Sequence, residues 1–175
     1  MLDLQVAWLT YMGGYYFATG ENPQKVGAAH PTLVPYEAFI CQGGQYINIA
    51  VGSERLWERF CKAMGREDLH GHPDYAQNVD RVRNRSTLVP LLQEEFQKKP
   101  VAEWVKILED GGVPCGPINQ LSDVFTDPQV LHREMLTEVP HASLGKMQVT
   151  GIPIKFSETQ GSIERGAPVL GEHTS

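Results

Sequence analysis

Two side chains of this sequence are candidates for covalent chemistry: a carboxylate near the amino end and a thiol within a turn. Asp3 is the only carboxylate in the apolar stretch MLDLQVAWL. Two interpretations of it stay open, a charge that caps a helix or favours its positive end and a functional carboxylate. Cys115 lies between Pro114 and Gly116 in the run GGVPCGPINQ. No motif supplies a base that would turn this thiol into a thiolate, so we interpret Cys115 as a packing residue in a rigid corner.

Two polar clusters are candidates for binding a ligand. His70 and His72 lie near acidic residues around the loop HGHPDYAQN. No distant third ligand accompanies them, so the pattern predicts a solvated loop and no metal site. Arg81, Arg83 and Arg85 would suit an anion such as a CoA phosphate. Their spacing of two spreads them around a helix, which favours solvated or intramolecular ion pairs instead.

Composition narrows the classes of function. The 175 residues are 41% hydrophobic and 21% charged, with a formal net charge of −6. These values predict a folded globular chain, and the acidic balance argues against nucleic-acid binding. The three cysteines lie at wide spacing, which fits neither a disulfide framework nor a zinc motif and favours a reducing, cytoplasmic setting. The apolar start lacks a basic n-region and contains polar interruptions, so it predicts neither a signal peptide nor a membrane span.

The elements that would position these residues follow from hydrophobic periodicity, Gly and Pro. Gly20 is expected to end a first helix and Gly43-Gly44 to turn a hairpin. Pro90 is expected to kink or restart a later helix. His30 is interpreted as an exposed loop histidine. The pattern predicts helices at 2–18, 54–64, 78–98 and 101–110, hairpin strands in YEAFI and QYINIAV, helical turns in LSDVF and DPQVLHR, and late strands in MLTEV and KMQVTGIPIKF.

The chain resembles a known family along nearly its entire length. It is similar to the class III (CaiB/BaiF-type) coenzyme A transferases, the family of formyl-CoA transferase, the carnitine CoA-transferase and α-methylacyl-CoA racemase. The stretches that carry the resemblance occur in the family's order: MLDLQVAWL, TGENPQKVGAAHPTLVPYEAF, INIAVGSERLWERFCKAMG, RVRNRSTLVPLLQEEF, GGVPCGPINQLSDVFTDPQV, GIPIKFSET and PVLGEHT.

The resemblance implies a fold and a division of the chain. The family combines a large Rossmann-like domain with a smaller α+β domain, and two subunits interlock as a homodimer. The chain is expected to be the C-terminal half. Residues 1–29 would be a helix and linker from the large domain, 30–135 the small α+β domain, and 136–175 a return segment toward the large domain. The apolar first helix would then be covered by the absent half.

The resemblance also implies a chemistry for Asp3. The family's transferases use an aspartate that opens a helix, and the match falls on Asp3 in MLDLQ. That carboxylate would be acylated by an acyl-CoA and then form a thioester with CoA before the acceptor acid takes the CoA. The expected substrates are an acyl-CoA and a carboxylic acid, with no metal, nucleic acid or membrane partner. CoA-contacting residues are expected mostly in the absent half, so none is assigned here.

Some family features are missing, and two alternatives stay open. The run of four glycines that forms the lid of formyl-CoA transferase does not occur, which weakens any assignment of formyl-CoA as substrate. A racemase of the same superfamily would use the aspartate with a histidine from the missing half. The chain would otherwise be a non-catalytic truncated or interaction domain.

Overall fold

The computed structural model describes residues 1–174. Within it the chain divides into two compact units, the first running from Met1 to Ile118 and the second beginning at Asn119. The mixture of helices and strands confirms the predicted α+β class. The predicted assignment of 1–29 and 136–175 to a larger domain stays a prediction, since that domain is not part of this chain. Among the residues described, no helix is both long and apolar enough to span a membrane.

The first unit contains a three-stranded antiparallel sheet in the order β1-β2-β3. Phe39 pairs with Ile47 and Ile49 pairs with Cys115, which places apolar side chains on one face. Gly43 and Gly44 have φ angles of 87° and 83°, which only glycine adopts readily, so the predicted hairpin turn is confirmed. The strands are β1 (Tyr36–Ile40), β2 (Tyr46–Ala50) and β3 (Cys115–Pro117).

Seven helices lie in this first unit, and the best predicted of them is α3. Ser53 caps it by accepting a hydrogen bond from the backbone N–H of Leu56 at 3.3 Å, and Gly65 ends it with a φ of 68°. Its buried stripe is the one that helical spacing predicts: Trp57, Phe60, Cys61 and Met64. The helices are α1 (Leu2–Ala7), α2 (Thr10–Thr19), α3 (Glu54–Met64), α4 (Glu67–His70), α5 (Asn78–Arg83), α6 (Arg85–Phe96) and α7 (Val101–Asp110).

The core forms where α6 and α7 pack against the sheet and α3 packs against α7. Phe96 contacts three other aromatic rings within it, with centroid separations of 4.7 Å to Phe39, 6.3 Å to Phe60 and 5.2 Å to Trp104. Each of these side chains is buried. Such aromatic pairs add to the burial of apolar area, so this cluster anchors the unit.

Two predicted helices are divided differently in the structure. The helix predicted at 2–18 is two helices, because Thr10 has a φ of 44°, which is incompatible with a continuous α-helix. The 78–98 helix breaks at Asn84 and not at Pro90, which lies inside α6. Pro90 leaves one helical carbonyl without its usual donor, and the chain tolerates this in the second turn of α6.

The proline-rich corner forms a short strand where mostly loop was predicted. β3 lies at the edge of the sheet, and the N–H groups of Ala50 and Ile118 reach the carbonyls of Pro114 and Tyr46 at 3.1 and 2.9 Å. An edge strand donates on one side only, so the missing N–H groups of its prolines cost no ladder hydrogen bond.

The second unit contains a hairpin and two short helices. The helical turns α8 (Leu121–Val124) and α9 (Pro128–His132) occur where predicted, and Asp127 caps α9. β4 (Leu136–His141) and β5 (Gly145–Thr150) pair as antiparallel strands. β5 is shorter than predicted because the chain leaves the ladder at Gly151, ahead of Pro153.

Candidate active site

Asp3 lies in the first turn of α1, where its side chain is exposed. Met1, and not Asp3, occupies the N-cap position, so the capping interpretation of Asp3 is wrong. Among residues 1–174, the Asp3 carboxylate has no hydrogen bond or salt bridge and lines none of the cavities described. The two interpretations that remain are a charge at the positive end of a short helix and a carboxylate kept unpaired for chemistry.

The helices around Asp3 expose apolar side chains to an unusual degree. Leu2 is 75% exposed, Trp8 77% and Phe17 84%, and no residue of α1 or α2 is buried. Exposed apolar side chains in this number are typical of an interaction surface.

The thiols are packing residues, as predicted for Cys61 and Cys115. Cys115 is half-buried, and its Sγ lies 3.8 Å from the carbonyl oxygen of Val105. Burial raises the pKa of the Cys115 thiol, and the negative charge of Glu109 raises it further. Burial also raises the pKa of Cys61 to about 12. Each shift moves a thiol away from the thiolate that nucleophilic attack requires.

The histidine loop shows local hydrogen bonding. His72 Nδ1 accepts the backbone N–H of Asp74 at 3.2 Å, and the His72 ring stacks on Tyr75 at 4.9 Å. His70 is the last residue of the short helix α4, so the helix ends on the first residue of the predicted loop. In the part of the chain that the structure describes, no three His, Cys, Asp or Glu side chains gather in a metal-binding arrangement.

The three arginines divide into two buried or half-buried side chains and one exposed one. Arg81 is fully buried: its Nε donates to Val34 O at 2.7 Å, its Nη1 to Tyr75 O and Glu54 Oε2 at 2.9 Å, and its guanidinium stacks 4.8 Å above Trp57. Arg81 therefore links three segments of the unit: the stretch before β1 with Val34, the start of α3 with Glu54, and the loop with Tyr75.

Arg85 and Arg83 differ in their surroundings. Arg85 pairs with Glu37 at 2.9 Å and donates to the backbone carbonyls of His30 and Leu33. Arg83 is exposed and lies 3.4 Å from Asp80. The predicted intramolecular pairing of the cluster is confirmed, and its arginines do not form an anion site.

Sequence reasoning missed a clamp on the segment 30–34. Asn78 joins Arg81 and Arg85 in binding it: Asn78 Oδ1 accepts the N–H of Val34 at 3.2 Å, and Nδ2 donates to Thr32 O at 2.8 Å. The three clamp residues recur at spacings of three and four, which would place them on one face of the continuous helix predicted from the sequence, although in the structure they divide between α5 and α6. That periodicity was the available signal, and the interval of two between the arginines obscured it.

His30 is the centre of a second missed feature, a stack of three rings. Its ring stacks with Tyr11 and with Tyr36, with centroid separations of 6.1 and 5.2 Å and interplanar angles of 9° and 5°. His30 is half-buried, so its interpretation as an exposed loop histidine is wrong. Tyr11 belongs to α2, so the stack joins the amino-terminal helices to β1.

A cavity of about 580 Å³ lies beside this stack within the first unit. Its walls are mainly aromatic and apolar, and Glu21 contributes a carboxylate that accepts a hydrogen bond from Tyr15 Oη at 3.1 Å. The lining residues include Tyr11, Pro31 and Thr32. Asp3 and His30 are not among them.

Comparison with known proteins places this architecture in one class. The crystal structure of a CaiB/BaiF family protein from Brucella suis superposes with a TM-score of 0.79 at 32% identity, over 94% of this chain and 42% of that chain. The profile of the family described as CoA-transferase family III matches residues 1–174. The chain therefore belongs to CoA-transferase family III, as its motifs predicted.

Relatives of known activity are also similar. The succinyl-CoA:glutarate CoA-transferase of Homo sapiens is 35% identical over 175 residues, which are 100% of this chain and 40% of the human protein. The succinyl-CoA:mesaconate CoA-transferase of Haloarcula hispanica is 34% identical over 167 residues, 90% of this chain and 39% of that protein. The chain thus spans about two fifths of the length of these relatives.

Proposed function

We propose that this chain is part of an acyl-CoA:carboxylate CoA-transferase, which moves CoA from one acid to another. The observation that carries the proposal is the similarity to the human succinyl-CoA:glutarate CoA-transferase along the whole chain. The archaeal relative acts on succinyl-CoA and mesaconate, so both named activities transfer CoA between dicarboxylic acids. Succinyl-CoA and glutarate are therefore the first substrates to test.

Asp3 is the proposed nucleophile, and its lack of an intramolecular partner supports this role. An Asp3 oxygen attacks the carbonyl carbon of the acyl-CoA, the C–S bond breaks, and CoA leaves as the thiolate. The product on the protein is a mixed anhydride between Asp3 and the donor acid. Dividing the transfer into such covalent steps lowers the barrier of each.

The thiolate then returns CoA to the protein. It attacks the Asp3 acyl carbon of the anhydride and releases the donor acid as a carboxylate, which leaves CoA joined to Asp3 as a thioester. The acceptor carboxylate attacks that thioester, and the same two steps run in reverse to give the new acyl-CoA and a free Asp3. Atoms and charge balance without an oxidant or a metal ion.

The decisive experiment compares two single substitutions in the full-length protein that contains this chain. Asp3→Ala is expected to lower kcat for succinyl-CoA:glutarate transfer on the order of 1,000-fold or more, the scale of losing a nucleophile. Cys115→Ala is the control, and we expect it to retain transfer and lower the stability, because its thiol fills a packed corner. Equal transfer by wild type and Asp3→Ala would contradict the proposed role.

Chemical trapping gives an independent readout. Hydroxylamine added during turnover is expected to convert Asp3 into a hydroxamate, detectable by mass spectrometry of the amino-terminal peptide. Glutarate is required to complete transfer but not to form the first anhydride. Incorporation of α-deuterium from D2O into a 2-methylacyl-CoA without an acceptor acid would instead identify the racemase alternative.

The assembly and setting of the full-length protein are also proposals. The exposed apolar surface of α1 and α2 supports burial against the rest of the longer protein, and the family resemblance supports a cytoplasmic homodimer. Sedimentation of the full-length protein tests the dimer, with a mass of two chains expected and a monomer at micromolar concentration contradicting it.

A further inference from the structure

His30 has almost all of its hydrogen-bonding groups committed within the first unit. Its backbone N–H donates to Tyr36 O at 2.8 Å, and its carbonyl accepts from Arg85. Ring atom Nδ1 accepts the backbone N–H of Thr32 at 3.2 Å. A side chain fixed at its backbone and at one ring nitrogen keeps a single orientation.

The contact with Thr32 determines the tautomer of the ring. A backbone N–H only donates, so Nδ1 of His30 carries the lone pair and the proton of the neutral ring lies on Nε2. The Thr32 hydroxyl lies 3.4 Å from the same Nδ1 and donates without conflict. Within residues 1–174, no hydrogen bond is recorded for Nε2.

Two tyrosines stack with the His30 imidazole. The rings of Tyr11 and Tyr36 lie nearly parallel to it, with centroid separations of 6.1 and 5.2 Å. The remaining polar group is therefore the Nε2–H, a half-buried donor whose direction is set before any ligand arrives. Because this donor already has a fixed direction, binding a ligand does not require a flexible side chain to be ordered, and the loss of side-chain entropy on binding is small.

The surroundings indicate which acceptor such a donor suits. The adjacent cation, Arg85, is already paired with Glu37, so a polyphosphate would find little compensating positive charge here. A single neutral N–H matches one carboxyl oxygen. Tyr11 lies in α2, the helix that follows α1, and Asp3 lies in α1, so the stack and the proposed nucleophile belong to the same amino-terminal region.

We propose that His30 binds a carboxyl oxygen of the acid substrate through its Nε2–H. This inference rests on the proposed function, because it names a binding contact for the acid that the transferase uses. The oxygen belongs either to the carboxylate that reacts or to the remote carboxylate of a dicarboxylic acid. Arg85 is then a positioning residue, since it holds the His30 backbone and does not itself meet the substrate.

The test measures binding of glutarate to the full-length protein by calorimetry. His30→Phe keeps an aromatic ring in the stack and removes the donor, so the glutarate Kd is expected to rise about 10-fold or more, the usual loss for a hydrogen bond to a charged group. His30→Gln restores an N–H near the Nε2 position and is expected to recover part of that affinity. His72→Phe is the matched control, because His72 also stacks on a tyrosine and accepts a backbone N–H at Nδ1.

Butyrate separates the two sources of the oxygen. If His30→Phe weakens the binding of butyrate and glutarate equally, the contact belongs to the reacting carboxylate. If it weakens the binding of glutarate alone, the contact belongs to the remote carboxylate. The ¹⁵N shift of His30 Nε2 in the wild-type protein gives a readout without substitution and is expected to move on adding glutarate. An unchanged Kd in His30→Phe together with an unmoved ¹⁵N shift overturns the proposal. Because binding is measured directly, this result is independent of whether succinyl-CoA:glutarate transfer occurs.

Discussion

The buried guanidinium of Arg81 allows a sharp test of what holds the first unit together. In Arg81→Met the apolar contact with Trp57 is largely retained, but the carbonyls of Val34 and Tyr75 lose their donor. Both residues are buried, Val34 at 0% and Tyr75 at 7% exposure. An unsatisfied buried acceptor costs about 1–3 kcal/mol, so for the two carbonyls together Arg81→Met is expected to lower the free energy of unfolding by about 2–6 kcal/mol.

The salt bridge from Arg81 to Glu54 adds little to this estimate. The Glu54 side chain is 46% exposed, so water replaces most of the interaction when the arginine is removed. The main effect is thus the desolvated backbone and not the loss of an ion pair. Arg81→Lys keeps the charge but lacks the planar guanidinium with its several N–H donors. We expect its free energy of unfolding to lie between those of wild type and Arg81→Met.

Arg83 provides a matched control two residues away on the same helix. It is exposed and only weakly paired, so Arg83→Met is expected to change the free energy of unfolding by no more than about 0.5 kcal/mol. Urea unfolding followed by tryptophan fluorescence compares the three variants with wild type, and the m-value must stay constant for the comparison to hold. If Arg81→Met costs no more than about 1 kcal/mol beyond Arg83→Met, the carbonyl argument is refuted.

Two further predictions concern packing and pH. A Cβ at Gly111 would lie 2.9 Å from the Cβ of Ala63, so Gly111→Ala is expected to lower the free energy of unfolding in urea by about 1–3 kcal/mol. Gly71→Ala is the control, because its added Cβ would meet nothing within 4 Å and should not destabilise the protein. Equal effects of the two substitutions would contradict close packing of α3 on α7. The paired Arg66 guanidinium lowers the pKa of Asp68, so this carboxylate stabilises the fold above the unfolded pKa near 3.8 and loses that contribution as pH falls through its folded pKa. Asp68→Asn should therefore be less stable than wild type at pH 6, and the difference in their free energies of unfolding should close as pH falls through the folded pKa of Asp68, which lies below 3.8. A difference that stays constant with pH would contradict the sign.

Local sequence signals predicted the elements whose boundaries local chemistry sets. Ser53 and Gly65 bracket α3, and Gly43-Gly44 turns the hairpin, because capping and positive φ depend on a few adjacent residues. The pairing of Cys115 with Ile49 depends on a partner elsewhere in the fold, so it could not be predicted from the neighbouring residues. The positive φ of Thr10 has no signal in the apolar pattern of the first helix, which continues across it.

The resemblance pointed to the proposed nucleophile, but it did not point to the residues that hold the segment 30–34. Asp3 was singled out by a motif, while Arg81 and Arg85 were interpreted as solvated or intramolecular ion pairs and Asn78 only as the start of a helix. Their roles depend on which backbone groups the segment 30–34 presents to α5 and α6, and single-sequence periodicity does not carry that information.

The same contacts explain why a histidine in a loop can have a fixed orientation. Arg85 holds the His30 carbonyl while Tyr36 O holds its N–H, so the loop is fixed by side chains of another helix and by a strand. Fixing a residue costs conformational entropy, and here bonds that form on folding offset that cost before any substrate is present. A binding site for a small acid gains most from such preorganisation, because a ligand with few atoms makes too few contacts to order a flexible loop. The clamp on 30–34 is therefore as much a part of the proposed acid site as the imidazole that it holds.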